Sequence, residues 1–349
     1  MVPQPTPPGR AVLDVGSRIS RLARLDGMSR PARRTNLYCQ TENKRSAAPT
    51  FQGGALLTRR LRFFGPRPES HTANGADNAL SGSGDFGGGD APIPEKELSA
   101  EKTPVVELPT VLIAIVVVYN VPGATENLRL SGPVLADIYL GKVTVWNDPE
   151  IAKLNPATSL PALPIQVLHR TEGKGSNYIF SEFLAKVSPE FLAKAGRGVS
   201  PKWPVGKAFN RTPDLLAAVK NTPGAIGYTE LNWAFTSGLR MAAIRNPAGE
   251  FVHPSDRTII AAASSSESKM SQNFRVSLID APGAESYPIA SFTWLYVPLK
   301  HKDAERGRAV NQYLAWVYTS GQQIAREQGY ATLPPSILEK AKERAAKVN

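Results

Sequence analysis

The stretch His169-Arg170-Thr171-Glu172-Gly173-Lys174-Gly175-Ser176-Asn177 has the residue types and spacing to hold an anion. It falls between a β-branched run and a long helical pattern. A glycine-rich turn that opens a helix presents backbone N–H groups at the positive end of the helix dipole. Arg170, Lys174 and the Ser176 hydroxyl add charge and hydrogen-bond donors there. A guanidinium can clamp two oxygens of a tetrahedral anion at once, which an ammonium cannot. The alternative is an ordinary turn with Ser176 or Asn177 as the helix cap, and spacing does not choose between the two. A nucleotide-binding P-loop is excluded: it needs Ser or Thr directly after its lysine, and Gly175 separates Lys174 from Ser176.

A second candidate is Asp85-Phe86-Gly87-Gly88-Gly89-Asp90-Ala91-Pro92. Carboxylates among glycines read as turn formers. A functional carboxylate facing an anion makes sense where the anion carries a proton. An ionised carboxylate only accepts hydrogen bonds, so it would select a protonated phosphate over unprotonated sulfate. Metal and thiol chemistry have little material. His71, His169, His253 and His301 are scattered, and Cys39 is the single cysteine, which rules out an internal disulfide. No Ser/His/Asp or paired-carboxylate arrangement suggests covalent or acid–base catalysis, and a phosphotransfer reading lacks an identifiable metal-binding carboxylate.

The elements that must position these residues alternate. PEKELSA (94–100) reads as a short helix, and Pro109–Asn120 as a buried strand of parallel type. Gly132–Gly141 reads as a helix with Ser131 near its cap, and Pro149 opens another after Asp148. Residues 164–170 read as a strand and 176–195 as one long helix. A helix from Thr212 gives way to a strand over 225–231, and two helices close the chain, near Val310–Val317 and over 336–348. Strands alternating with helices mean an α/β architecture. The Gly-rich stretch 81–92 reads as a loop. Trp146, Trp203, Trp294 and Trp316 sit in apolar contexts and read as core.

The chain has 349 residues and a formal charge of +11, unevenly spread. Residues 1–80 hold 13 Lys+Arg against 5 Asp+Glu, a surplus of +8, and twelve of those 13 are arginine. This segment has no sustained periodicity, so disorder is the expectation. A nucleic-acid-binding arm is an alternative, against which stands the lack of interleaved aromatics. A rearranged upstream reading frame would also give such sequence. The longest apolar run, Val111–Tyr119, is far short of the ~20 residues of a membrane helix. The N-terminus shows no signal-peptide apolar stretch of ~7–15 residues.

DFGGGDAP, LADIYLGKVTVWNDPEIAKLNP, VLHRTEGKGSNYIF, KWPVG, TPGAIGYTE and YATLPPSI occur in that order. Together they resemble the phosphate-binding protein of bacterial high-affinity phosphate ABC transporters, over residues 81–349. The resemblance implies a two-lobed, type II-like periplasmic binding protein with a hinge of crossing strands. Lobe 1 would comprise 81–122 with 289–349, and lobe 2 would comprise 123–288. It also implies a monomer that binds inorganic phosphate between the lobes, serves ABC permease subunits, and needs no cofactor, nucleic acid or catalysis. By position, Asp90 resembles the family's proton-reading carboxylate and Arg170 its phosphate clamp. Gly175 and Ser176 resemble its helix-N-terminal donors. Glu172 stands where the family has an acidic partner for the arginine, with Gly173 beside it as support. Lys174 replaces a serine common there and joins the phosphate-binding set. The family's opening Thr-Phe-Pro turn and Gly-Ser-rich loop are not found in residues 1–80, which implies an incomplete first lobe. The alternative is a truncated, non-binding remnant of the family.

Overall fold

The computed structural model describes residues 72–100, 104–124, 126–270, 273–301 and 303–348. The readings of residues 1–71 as a disordered or nucleic-acid-binding arm lie outside the described residues. In chain order the first elements are α1 (Thr72–Leu80), β1 (Gly87–Gly89), α2 (Glu95–Ala100), β2 (Val105–Tyr119), β3 (Arg129–Leu130), α3 (Gly132–Tyr139) and α4 (Pro149–Ala152). The middle of the chain forms β4 (Gln166–Arg170), α5 (Gly175–Val187), α6 (Pro189–Ala195), β5 (Lys207–Phe209), α7 (Thr212–Asn221), β6 (Ala225–Glu230) and α8 (Leu231–Ser237). Then follow β7 (Arg240–Met241), β8 (Ala243–Arg245), β9 (Phe251–Val252), α9 (Asp256–Ser265), β10 (Ala290–Pro298), α10 (Ala304–Val317), α11 (Ser320–Glu327) and α12 (Pro335–Ala345).

The principal sheet runs β1-β10-β2-β6-β4-β5, with β7 also on β2, and β3-β8-β9 form a second sheet. β2 organises everything. At ~3.3 Å per residue its 15 residues extend about 50 Å. Residues 105–114 pair with β10, and Ile115–Tyr119 pair with β6. All these pairings are antiparallel, which corrects the parallel-type expectation. β2 reads as an unbroken apolar run because both faces are covered: Leu112 and Ala114 through Val118 are almost fully buried. Two-sided burial writes that pattern whatever the direction of the neighbours. Parallel pairing appears where β4 meets β5 and β6, and where β3 meets β8 in the second sheet.

Three further expectations need correction. The helix expected over 176–195 is two, because Pro189 cannot continue α5. Ser188 instead caps α6, accepting from the Phe191 amide at 3.1 Å. The glycine-rich loop contains strand β1, paired with Tyr296, Leu295 and Trp294 of β10. Residues 72–80 form helix α1 within the segment read as patternless. Its buried face carries Gly75, Ala76 and Ala79, residues too small to register as an apolar stripe. Small residues are required here. A Cβ on Gly75 would lie 2.0 Å from the Gly88 carbonyl oxygen, and one on Gly87 would lie 1.8 Å from that of Gly75. Helix and strand backbones touch directly.

Other elements follow their local signals. Ser131 caps α3 by accepting from Val134, Asp148 caps α4 by accepting from Glu150, and Gly141 takes a positive φ at the end of α3. Trp146 and Trp294 are buried as expected, and the Trp146 indole donates to the Gly224 carbonyl at 2.9 Å. Trp203 is half-buried and joins an aromatic cluster with Tyr139, Phe180 and Tyr228, in which Phe180 and Tyr228 stack at 4.3 Å. No helix of the described residues is long and apolar enough to cross a membrane.

Candidate anion site

β4 delivers Arg170 to the C-terminal edge of the parallel strands, and the chain turns there into α5. The turn is fastened from outside. Gly173, at φ 79°, donates its amide to the Val199 carbonyl at 2.9 Å and the Ser200 hydroxyl at 3.1 Å. The Lys174 amide reaches the same carbonyl at 3.3 Å. Lys174 occupies the cap position of α5 and has no oxygen to offer the helix amides, so no side chain caps this helix start. Lys174, Gly175, Ser176 and Asn177 are all buried.

Arg170 is buried and held by neutral acceptors. Its Nε donates to the Phe209 carbonyl at 3.2 Å, Nη1 to the Thr212 hydroxyl at 2.6 Å, and Nη2 to the Asn210 carbonyl at 2.7 Å. A guanidinium has five N–H donors; these three bonds leave one N–H on each Nη. These are the donors a tetrahedral anion could take. The resemblance supplies Glu172 as acidic partner to this arginine, and here the structure differs. Glu172 is exposed, and among the described residues no ion pair joins it to Arg170. The end of β5 and the start of α7 provide acceptors that leave the guanidinium no need of it.

The sequence offered Asn177 only as a helix cap and gave no role to Tyr228, yet both brace this turn. The Tyr228 hydroxyl accepts from the Arg170 amide at 3.1 Å and donates to Asn177 Oδ1. Asn177 Nδ2 in turn holds the Thr171 carbonyl at 2.7 Å and the Val199 carbonyl at 3.1 Å. One buried relay thus joins β6, the end of β4 and the first turn of α5. Next to the turn, His169 points its ring at Trp203, with centroids 5.4 Å apart, and burial lowers its pKa.

Asp90 follows β1 on the other part of the sheet. Its Oδ1 accepts from the Thr293 hydroxyl of β10 at 2.7 Å. Burial raises the Asp90 pKa from 3.8 to about 6; Thr293 opposes the rise, and the charge of Glu230 adds to it. Glu230 is buried and ends β6. Continuing the parallel register of Val167 with Ile226 puts Arg170 level with Thr229, one residue before Glu230. The Glu230 charge is thus felt at Asp90, while among the described residues no named hydrogen bond or ion pair joins Asp90 to Arg170. The buried Arg170 guanidinium and the neighbouring start of α5 are the groups of this turn that could receive a small oxyanion.

Comparison with known proteins gives the family. A family model described as a PBP superfamily domain matches residues 69–320. The phosphate-binding protein PstS of Xylella fastidiosa is 35% identical over 255 residues, covering 73% of this chain and 70% of that protein. PstS of Methanocaldococcus jannaschii is 37% identical over 286 residues, covering 75% and 73%. Among solved structures, a phosphate-binding protein from Stenotrophomonas maltophilia superposes with a TM-score of 0.58 at 18% identity, covering 78% of this chain and 84% of that one. The fold is that of the two-lobed periplasmic binding proteins. The chain belongs to the PBP superfamily and, within it, to the family of PstS phosphate-binding proteins.

Proposed function

We propose that this chain captures inorganic phosphate between its lobes and passes it, chemically unaltered, to the permease subunits of an ABC transporter. The observation that carries this reading is the Arg170 fork, which keeps one N–H on each terminal nitrogen beside the uncapped start of α5. Two phosphate oxygens take the fork. Gly175 and Ser176 contribute donors from the first turn of the helix, where the dipole favours negative charge. Lys174, buried at the cap position, adds a cation to the same anion.

Asp90 reads the proton. Ionised above its raised pKa, it accepts a hydrogen bond from a P–OH group, whereas sulfate at neutral pH has no proton to give. Charge facing charge without a proton disfavours sulfate by roughly 3–5 kcal/mol, or ~10²–10⁴ in affinity. The division of labour between lobes is supported by β2, nine of whose first ten residues pair with β10, around a bulge at Thr110, and whose last five pair with β6. Lobe 1 then comprises 81–122 and 289–349, with α1 added at its start, and lobe 2 comprises 123–288. A monomer working in the periplasm as a carrier, with no catalytic step, fits this arrangement. Equilibrium dialysis of the full chain against radiolabelled phosphate tests the reading. Saturable retention of one phosphate per chain under excess sulfate is expected; no saturable retention removes the reading.

A further inference from the structure

Residues 273–289 carry the chain back from the region of α9 into β10, and they are gripped from two sides. On one side Arg275 reaches into the proposed lobe 1. Its Nε donates to Glu107 Oε2 on β2 at 2.5 Å, Nη1 to Glu95 Oε2 on α2 at 2.5 Å, and Nη2 to the Ile93 carbonyl. Glu107 is buried, and its other oxygen accepts from the Ile93 amide at 2.6 Å. All four groups form one closed cluster. On the other side, the segment is fixed by its backbone to the rest of lobe 2, to which it belongs. Lys186 of α5 donates to the Ile279 carbonyl at 2.8 Å, and Asn246 Nδ2 donates to the Gly283 and Ala284 carbonyls at 3.0 and 2.9 Å.

The backbone between these anchors is not relaxed. Phe274 and Asp280 take φ values of 59° and 54°, unusual for side chains with a Cβ. Such conformations persist only where surrounding contacts over-determine them. Phe274 is fully buried, so the bend is pinned beside Arg275. Tyr178, in the first turn of α5, lies within the field of this cluster. Burial raises its pKa first, followed by the charge of Glu182, and the charges of Glu107 and Arg275 are also felt. The charges of the clasp are thus felt in the first turn of the helix that the proposed function assigns to phosphate.

We propose that residues 273–280 form a strap between the lobes, and that Arg275 is a positioning residue that sets phosphate affinity by clasping Glu107 rather than by touching the anion. For its ligand, though not for its geometry, this rests on the reading given under Proposed function. A cleft that must be assembled binds with its intrinsic dissociation constant divided by the fraction of molecules already competent, so loosening the clasp weakens binding without changing what is recognised.

The test uses the full-length chain with three changes: Arg275→Ala, the charge-neutral pair Arg275→Met with Glu107→Gln, and Lys186→Met at the opposite anchor. The paired change removes the clasp without stranding a buried carboxylate, so it stays informative if Arg275→Ala fails to fold. Calorimetry with inorganic phosphate and sulfate is combined with small-angle scattering of ligand-free and phosphate-saturated protein. Expected are about tenfold weaker phosphate binding, an unchanged phosphate-to-sulfate ratio, and a larger ligand-free radius of gyration that returns to the wild-type value with phosphate. Unchanged affinity and unchanged radius overturn the proposal, and so does an altered ratio, which would place Arg275 on the anion. Should wild-type protein bind no phosphate, the ligand-free radius decides alone: expansion in the variants keeps the strap and rejects only the ligand, and no expansion rejects the strap.

Discussion

Thr293 donates its hydroxyl to Asp90 Oδ1 across 2.7 Å, joining the carboxylate after β1 to the return strand β10. This bond favours the ionised form, yet burial outweighs it and lifts the Asp90 pKa from 3.8 to about 6. The carboxylate is thus held charged at neutral pH in a place that disfavours charge. A partner arriving with a proton to share relieves that tension.

The pH dependence of stability follows. A folded-state pKa above the unfolded one means that the native state binds the extra proton between the two values. Stability from Asp90 is then full below pH 4 and lost as pH rises through 6. The displacement corresponds to on the order of 3 kcal/mol. Asp90→Asn should therefore raise the melting temperature of phosphate-free protein at pH 7.5 and flatten its pH dependence between 4 and 6. Thermal melts across that range check this; a less stable variant at pH 7.5 would show that the buried charge is compensated.

Arg170 should be intolerant even of lysine. Lysine keeps the charge but cannot hold Phe209, Asn210 and Thr212 while offering two parallel N–H groups. Arg170→Ala should cost about 2–5 kcal/mol of phosphate binding, roughly 30- to 5,000-fold. Arg170→Lys should lose at least about tenfold. Titration calorimetry measures both.

Tyr228→Phe removes a single oxygen and breaks both ends of the relay between Arg170 and Asn177. A buried amide is then left without its partner, at a cost of about 1–3 kcal/mol. The expected result is a lower denaturation midpoint with an unchanged m-value, since the ring still stacks on Phe180.

Gly75→Ala separates two accounts of α1 by sign. In an ordinary helix interior this change stabilises by up to about 1 kcal/mol. Here the new methyl would meet the Gly88 carbonyl oxygen at 2.0 Å, so helix and strand must part. Destabilisation by about 1–3 kcal/mol is expected in chemical denaturation.

Much of the site was legible because its chemistry lies in one contiguous stretch. Arg170, Gly173 and Ser176 announce a turn and a helix start, although spacing alone left an anion clamp level with an ordinary cap. The bracing residues were not legible. Thr212, Tyr228 and Thr293 stand at ordinary positions of helix or strand, and their importance comes from neighbours 42, 58 and 203 residues away in sequence. Glu172 shows the opposite case: a position suggested an ion pair, and backbone carbonyls from β5 filled its place. In the fold, Pro189 carried the signal that divides α5 from α6. The pairing direction of β2 had no local trace, because two-sided burial leaves the same apolar run in either orientation.

The central claim is that a buried carboxylate and a guanidinium fork together recognise an oxyanion by its proton. The most direct measurement is the ratio of phosphate to sulfate affinity at pH 7.5, by calorimetry, in wild type and in Asp90→Asn. The account predicts strong preference for phosphate in wild type, by roughly 10²–10⁴, and a ratio that collapses in Asp90→Asn while phosphate binding itself is better preserved. Equal affinity for the two anions in wild type, or a ratio untouched by the substitution, would contradict it.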